Sequence, residues 1–88
     1  MNWTVTLAKD ADKELKKLPA DRQEFILKHL REMREDPFRG DVKALKGKEW
    51  KGRYRKRIGR YRFIFVPRHA EKIVDISAIL IRSGRTYD

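Results

Sequence analysis

Apolar and polar residues alternate at the start of the chain and then change to helical spacing. Residues 3–7 alternate apolar side chains with threonines, the two-residue period of a half-buried strand. Over residues 8–18 the small and apolar residues recur three and four positions apart, which predicts a narrow amphipathic helix that Pro19 ends. Asp21 is expected to cap a second helix that runs to about Glu35. The apolar stripe of this second helix consists of Ile26, Leu30 and Met33.

The second half of the chain has the pattern of a loop followed by three strands. Turn-forming residues over 36–40 predict the loop, and residues 42–45 offer a short apolar contact. Residues 50–58 and 61–66 are predicted strands, since Gly59 and Arg60 suit a two-residue hairpin turn. Residues 67–69 turn the chain again, and residues 73–81 form an almost continuous apolar run typical of a strand inside a sheet. A polar tail, 82–88, completes the sequence.

Composition narrows the class of protein. A chain of 88 residues with 40% hydrophobic content suffices for a single domain, 1–88, with one modest core. There is no cysteine, and His29 and His69 are far apart, so we expect neither a metal site nor another cofactor. Because no segment resembles a signal peptide or approaches the roughly 20 apolar residues that span a bilayer, a cytoplasmic location without membrane contact is the default expectation.

Positive charge is concentrated in one segment. Residues 43–62 hold ten Lys and Arg residues against the single acid Glu49, which gives +9 of the chain's net +10. If Gly59 and Arg60 form the turn, strand alternation divides this hairpin into two faces. The basic face carries Lys51, Arg53, Arg55, Arg57 and Arg62, whereas the other face carries Tyr54, Ile58, Tyr61, Phe63 and Phe65, with Lys56 as a misfit. The aromatic residues are therefore expected chiefly in the core.

The basic face has a cost that a bound anion would remove. Arg57 is predicted to lie opposite Arg62, and like charges in that position destabilise a sheet by up to about 1 kcal/mol. The guanidinium fork suits phosphate, which favours RNA or DNA as the ligand. The alternative is a solvated face that only aids solubility, and the lack of interspersed acids disfavours it. Tail residues Arg82, Arg85 and Tyr87 would add to this face if the tail folds back over it.

Several segments together resemble one protein superfamily. They are the helix pair, the run Leu45-Lys46-Gly47, the strand, glycine turn and strand over 54–65, and the ending over 82–87. Over nearly the whole chain they resemble the RelE/ParE superfamily of toxin-antitoxin toxins, and the RelE branch with its archaeal-type members more than the ParE branch. The resemblance implies an α+β fold in which a two-helix hairpin packs on a mostly antiparallel, four-stranded twisted sheet (β-α-α-β-β-β).

The resemblance also implies a function. RelE-like toxins are ribosome-dependent endoribonucleases that cut mRNA in the A site by metal-independent attack of a 2′-hydroxyl, and this inhibits translation. The expected partners are ribosome-bound mRNA and a cognate antitoxin whose acidic segment wraps the toxin in a hetero-oligomer, with operator DNA as a further candidate. Two alternatives stay open: a ParE-like toxin that poisons DNA gyrase, and a non-catalytic RNA-binding module.

Site residues follow from the resemblance position by position. The catalytic set that it implies is Arg53, Arg55, Arg62, Arg82 and Tyr87, and the candidate RNA or phosphate contacts are Lys46, Lys48, Lys51, Arg57, Arg60 and Arg85. A gapless comparison places Ser83 at the family's C-terminal Arg position, so Arg82 and Arg85 compete for that role. Many members carry Lys for proton transfer where this chain has Arg, whose pKa above about 12 makes it a poor base. The general base is therefore left open.

Overall fold

A five-stranded sheet covered on one face by two helices forms the described part of the protein. The computed structural model describes residues 2–81. The elements are β1 (Thr4–Leu7), α1 (Lys9–Lys16), α2 (Ala20–Met33), β2 (Asp41–Ala44), β3 (Tyr54–Ile58), β4 (Tyr61–Arg68) and β5 (Ile73–Ile81). The predicted α+β class and the order of the helices are confirmed, and the sheet has one strand more than predicted.

The strand order in the sheet is β1-β5-β4-β3-β2. β1 pairs in parallel with β5, and every other pair in the sheet is antiparallel. β5 is thus flanked by strands on both sides, as its apolar run predicts. The basic hairpin, β3 with β4, lies between β2 at the edge and β5 in the interior.

The additional strand is β2, which the sequence indicates only as a short apolar contact. It pairs with β3, so that Asp41 lies opposite Arg57 and Lys43 opposite Arg55. Only Val42 packs against the core, and one inward residue is too little for an alternating pattern to be recognised. The prediction of four strands was therefore one short.

The two strands of the hairpin differ from their predicted bounds. β3 starts at Tyr54 and not at residue 50, because a 3-10 turn at Lys48–Trp50 and the positive φ of Gly52 interrupt the extended chain. β4 continues through Pro67, which was predicted to turn. Proline lacks an amide hydrogen, and β3 pairs with β4 only as far as Phe65, so no ladder bond is lost on that side.

The predicted cap of α2 was also wrong. The helix begins at Ala20 after Pro19, and Asp21 lies inside its first turn. There the carboxylate complements the positive end of the helix dipole without accepting a capping hydrogen bond. The predicted stripe is confirmed, since Ile26, Leu30 and Met33 are all buried.

The core fills the space between the helices and one face of the sheet. Ala11 and Leu15 of α1 join the α2 stripe on the helical side. The sheet contributes Ile58, Tyr61, Phe63, Phe65, Val74, Ile76 and Ile79. Because both helices lie on this face, no helix among residues 2–81 covers the opposite face of the hairpin, which we call the uncovered face.

An irregularity in β5 changes which residues reach the uncovered face. Ile64 pairs with Ala78 but Phe65 pairs with Ile76, so Ser77 is an extra residue in the ladder. The Ser77 hydroxyl donates a hydrogen bond to the Ile64 carbonyl at 3.2 Å. Val74, Ile76 and Ile79 are the buried residues of β5. The two residues between Ile76 and Ile79, which are Ser77 and Ala78, therefore both lie away from the core.

Lys56 is the charged residue that faces the core, as predicted. It lies opposite Phe63 and Val42, and only 6% of the residue is exposed. Burial lowers the pKa of its ammonium, because a charge is disfavoured away from water. The carboxylates of Glu32 and Asp36 partly oppose this effect.

Replacing Lys56 by methionine is expected to stabilise the protein by about 1 kcal/mol or more at pH 7, because a partly desolvated charge is exchanged for an apolar chain of similar length. The pKa of Lys56 in the folded protein lies below the ordinary 10.5. Below the folded-state pKa the buried charge lowers the stability of the protein by its full amount. This loss of stability decreases as the pH rises from the folded-state pKa towards 10.5. Urea unfolding of both proteins between pH 7 and pH 11 measures the difference. A gain that stays constant across this range would contradict the explanation.

Candidate nucleic-acid interface

The hairpin has the register that its glycine turn predicts. Ile58 pairs with Tyr61, Arg57 with Arg62 and Arg55 with Ile64. Alternation then places Arg55, Arg57 and Arg62 on the uncovered face, while their neighbours in sequence point into the core. The basic face is therefore confirmed for the residues that lie in the strands.

An acid that the sequence does not assign to this face lies within it. The Asp41 carboxylate accepts a hydrogen bond from the Arg55 guanidinium at 3.3 Å, and its second oxygen lies 3.9 Å from the Arg57 guanidinium. The Arg55 side chain is only 12% exposed, so this ion pair is partly shielded from water. The expectation that the face lacks acids was wrong, because Asp41 enters it through the unrecognised strand β2.

A cavity of about 490 Å³ opens on the uncovered face beside these arginines. Such a volume is within the usual range for small-ligand sites, about 300–1,000 Å³. One of its lining residues, Ile64 of β4, pairs with Arg55 of β3 on one side and with Ala78 in the bulged part of β5 on the other. Apolar lining comes from Leu45, Trp50, Ile64, Ala78 and Leu80. Polar lining comes from Arg53, Arg62 and Ser77.

The loop before β3 brings Trp50 to this cavity. Gly47 and Gly52 both have positive φ, at 106° and 78°, which bends the chain into a compact turn around Trp50. The indole is 39% exposed, and the Arg53 guanidinium lies 5.9 Å from its ring centre. Trp50 is thus an exception to the expectation that the aromatic residues fill the core, since the glycine turn moves it out of the strand's alternation.

The structure brings some of the predicted site residues together and separates others. Arg53 and Arg62 line the same cavity, although Arg53 is the last residue of the loop before β3 and Arg62 belongs to β4. Arg55 and Arg57 lie on the same face next to them and contact Asp41. Four further predicted residues are exposed: Lys46, Lys48 and Lys51 in the loop before β3, and Arg60 in the hairpin turn. Arg82, Arg85 and Tyr87 lie outside the described residues.

The histidines are distant from this chemistry. His29 pairs with Glu32 at 3.2 Å and packs against Phe25, as expected of a residue at a helix edge. His69 stacks on Phe38 in the turn after β4. Across residues 2–81, no group of three or more His, Cys, Asp or Glu side chains is arranged to hold a metal ion. No helix in this range is long and apolar enough to cross a membrane.

The chemical capacity of the face is that of an anion site. Arg53 and Arg62 are half-buried, so their charges act in a medium of lower dielectric than bulk water. Each guanidinium offers a planar fork that matches a phosphate. The face can therefore hold phosphate groups and stabilise negative charge that develops on them.

The model of one toxin family matches residues 5–85, and its description is the ParE toxin of the type II toxin-antitoxin system parDE. The chain belongs to this family. With it, the chain belongs to the RelE/ParE superfamily of type II toxins that its motifs resemble. No curated protein matches the chain.

Solved structures of superfamily members share the fold. The RelBE2 toxin-antitoxin complex of Mycobacterium tuberculosis gives a TM-score of 0.83 at 23% identity, covering 93% of this chain and 100% of that one. The archaeal RelE–RelB complex of Pyrococcus horikoshii OT3 gives 0.78 at 27% identity, covering 98% and 100%. The YoeB/ParE toxin of Agrobacterium tumefaciens gives 0.72 at 16% identity, covering 91% and 99%. The fold of this chain is therefore RelE-like.

Proposed function

We propose that this toxin is a ribosome-dependent endoribonuclease that cuts mRNA in the ribosomal A site. The observation that carries the proposal is the convergence of Arg53 and Arg62 on one cavity of the uncovered face, with Arg55 and Arg57 alongside. The likeness to RelE–RelB structures supports it further. A cognate antitoxin with an acidic segment is the protein partner of this proposal, since it would complement the charge of the hairpin.

The reaction proposed is an internal transesterification of the RNA. The 2′-hydroxyl oxygen loses its proton and bonds to the adjacent phosphorus, the bond from phosphorus to the 5′-oxygen breaks, and that oxygen takes up a proton. A 2′,3′-cyclic phosphate and a 5′-hydroxyl end result, and no step requires a metal ion. Arg62 would stabilise the negative charge of the phosphorane, and Arg53 and Arg55 would hold the phosphate in line for attack.

The proposed roles of the tail stay as the resemblance implies them. Arg82 or Arg85 would add a second charge to the phosphorane, and Tyr87 would stack on a base or position the nucleophile. Because arginine is a poor base at neutral pH, catalysis by this chain would depend on positioning and electrostatics, and the ribosome would have to assist the reaction.

Mapping of mRNA 5′ ends after expression of the chain tests the proposal. We expect cuts at a fixed position within codons of translated messages. A matched message without a ribosome-binding site is the control, and it should stay intact in the same cells. Equal cutting of both messages would refute ribosome dependence, and an absence of cuts during growth arrest would refute the nuclease.

A second function is favoured by one observation, since the family model that matches the chain is that of ParE toxins. A ParE-like toxin would poison DNA gyrase and leave mRNA intact. Induction of the DNA-damage response with unchanged 5′ ends would support that function, and codon-phased cuts without DNA damage would support the nuclease.

Replacing Asp41 by asparagine is expected to strengthen binding of a single-stranded RNA oligonucleotide, because it removes the acid that competes with phosphate for Arg55. The Asp41 side chain is 48% exposed, so its ion pair should contribute only about 1 kcal/mol, and the gain should reach about 5-fold. Asp21→Asn on α2 removes the same charge from the helical side and serves as the control. An equal gain in both variants would show an effect of net charge alone, and weaker binding by Asp41→Asn would show that Asp41 holds Arg55 in its binding position.

A further inference from the structure

Trp50 is one of the large apolar residues that the described part of the chain leaves exposed. It lies outside the cluster of buried side chains that forms the core, and its indole is 39% exposed beside the cavity. Leu80 of β5, which lines the same cavity, is also exposed, at 47%. Exposed apolar residues that line one cavity together with a few polar groups are typical of a ligand-binding site.

The turn that carries Trp50 is held in position by its backbone. The Trp50 amide donates to the Gly47 carbonyl at 3.1 Å, and the Arg53 amide donates to the Trp50 carbonyl at 2.9 Å. The loop is closed where the Leu45 amide donates to the Arg53 carbonyl at 2.9 Å. Because the backbone of this loop is ordered before binding, a ligand that stacks on Trp50 has only the side-chain rotamers of Trp50 to fix, which lowers the entropy cost of binding.

The lining of the cavity combines apolar and cationic residues. Trp50, Leu45 and Ile64 contribute apolar surface, and Arg53 and Arg62 contribute guanidinium groups. The charge continues outside the cavity through Arg55 and Arg57. A single-stranded nucleic acid has the matching pattern, because flat apolar bases alternate along it with phosphates.

We propose that the cavity is a nucleobase subsite, in which one base of the bound RNA stacks on the Trp50 indole while Arg53 and Arg62 hold the neighbouring phosphates. That the bound strand is RNA rests on the proposed function. The subsite adds a contact to a base, whereas the arginines contact only the phosphate backbone. Trp50 is here a binding residue and has no part in proton transfer.

The test uses the purified full chain and two hexanucleotides of equal charge at one salt concentration. One is a 2′-O-methyl RNA, which blocks the 2′-hydroxyl and so can bind without being cut, and the other has the same backbone with abasic positions. The first should quench the emission of Trp50, while Trp3, which is 8% exposed, should report only on folding. Trp50→Leu should weaken binding of the first by about 5- to 100-fold and leave binding of the abasic strand unchanged.

Phe25→Leu is the matched control, since Phe25 is 38% exposed but lies on α2, away from the cavity. It should bind both strands as the unmodified chain does. If Trp50→Leu does not fold, as judged by circular dichroism and Trp3 emission, Trp50→Phe keeps a smaller ring and takes its place with an intermediate loss.

Two results would overturn the subsite. Unchanged binding of both strands by the folded Trp50 variant would show that the cavity does not bind a base, and a protein partner would then be its candidate ligand. An equal loss for both strands would mean that the indole only supports Arg53. Base-dependent binding by a chain that cuts no message would refute the nuclease and leave the subsite in place, so the two proposals fail separately.

Discussion

Arg62→Ala is expected to abolish growth inhibition while the protein stays folded. Arg62 borders the cavity of the uncovered face, and its side chain makes no contribution to the buried core. Removing a charge that stabilises a transition state typically costs about 100-fold or more in rate. The measurement is single-turnover cleavage of mRNA on purified ribosomes, with growth after induction as the cellular readout.

Two further variants sharpen this test. Arg62→Lys keeps the charge but loses the fork, so its rate should lie between those of the unmodified protein and Arg62→Ala. Arg22→Ala removes an exposed arginine from α2, on the helical side, and should cleave at the unmodified rate. A folded Arg62→Ala protein that remains fully toxic would remove Arg62 from the site.

Phe63→Ala is expected to destabilise the protein by about 3–5 kcal/mol, because it leaves a cavity in the middle of the core. Phe63 is fully buried and lies between Lys56 of β3 and Ile79 of β5. For a domain of this size the melting temperature should fall by about 15 °C or more, measured by circular dichroism. Toxicity should be lost together with the fold, whereas Arg62→Ala should melt normally.

Phe25→Ala is the control for this loss of volume. Phe25 makes ring contacts with His29 and Tyr61 but is 38% exposed, so its truncation should cost about 1 kcal/mol. Equal melting temperatures for Phe63→Ala and Phe25→Ala would contradict the packing described for the core.

The fold was predictable where a strong local signal fixes the chain. A two-residue turn at Gly59 and Arg60 determines the register of the whole hairpin, so the faces of Arg57 and Arg62 followed from the sequence. The stripe on α2 likewise determined its buried side. β2 was not predictable in this way, because four residues with one inward side chain carry little periodic signal.

The candidate site was predictable in its charges and not in its shape. Strand alternation indicates that Arg55 and Arg62 share a face, but Asp41 reaches that face only through the pairing of β2 with β3. The position of Trp50 at the cavity depends on the positive φ of Gly47 and Gly52, and a sequence does not show which glycines adopt a positive φ. The cavity therefore required the tertiary structure.

The parallel pairing of β1 with β5 has a consequence for how the protein is made. Thr4 lies beside Ile73 and Leu7 beside Ile76. β1 is synthesised before the other described strands, and it cannot pair until β5, the last of them, has been synthesised. The hydrogen bond between Thr6 and Asp75 spans 69 positions, and contacts so distant in sequence form late and slowly. The nascent chain cannot complete its sheet, and with it the wall of the cavity that β5 supplies, until almost all of the described residues have been synthesised.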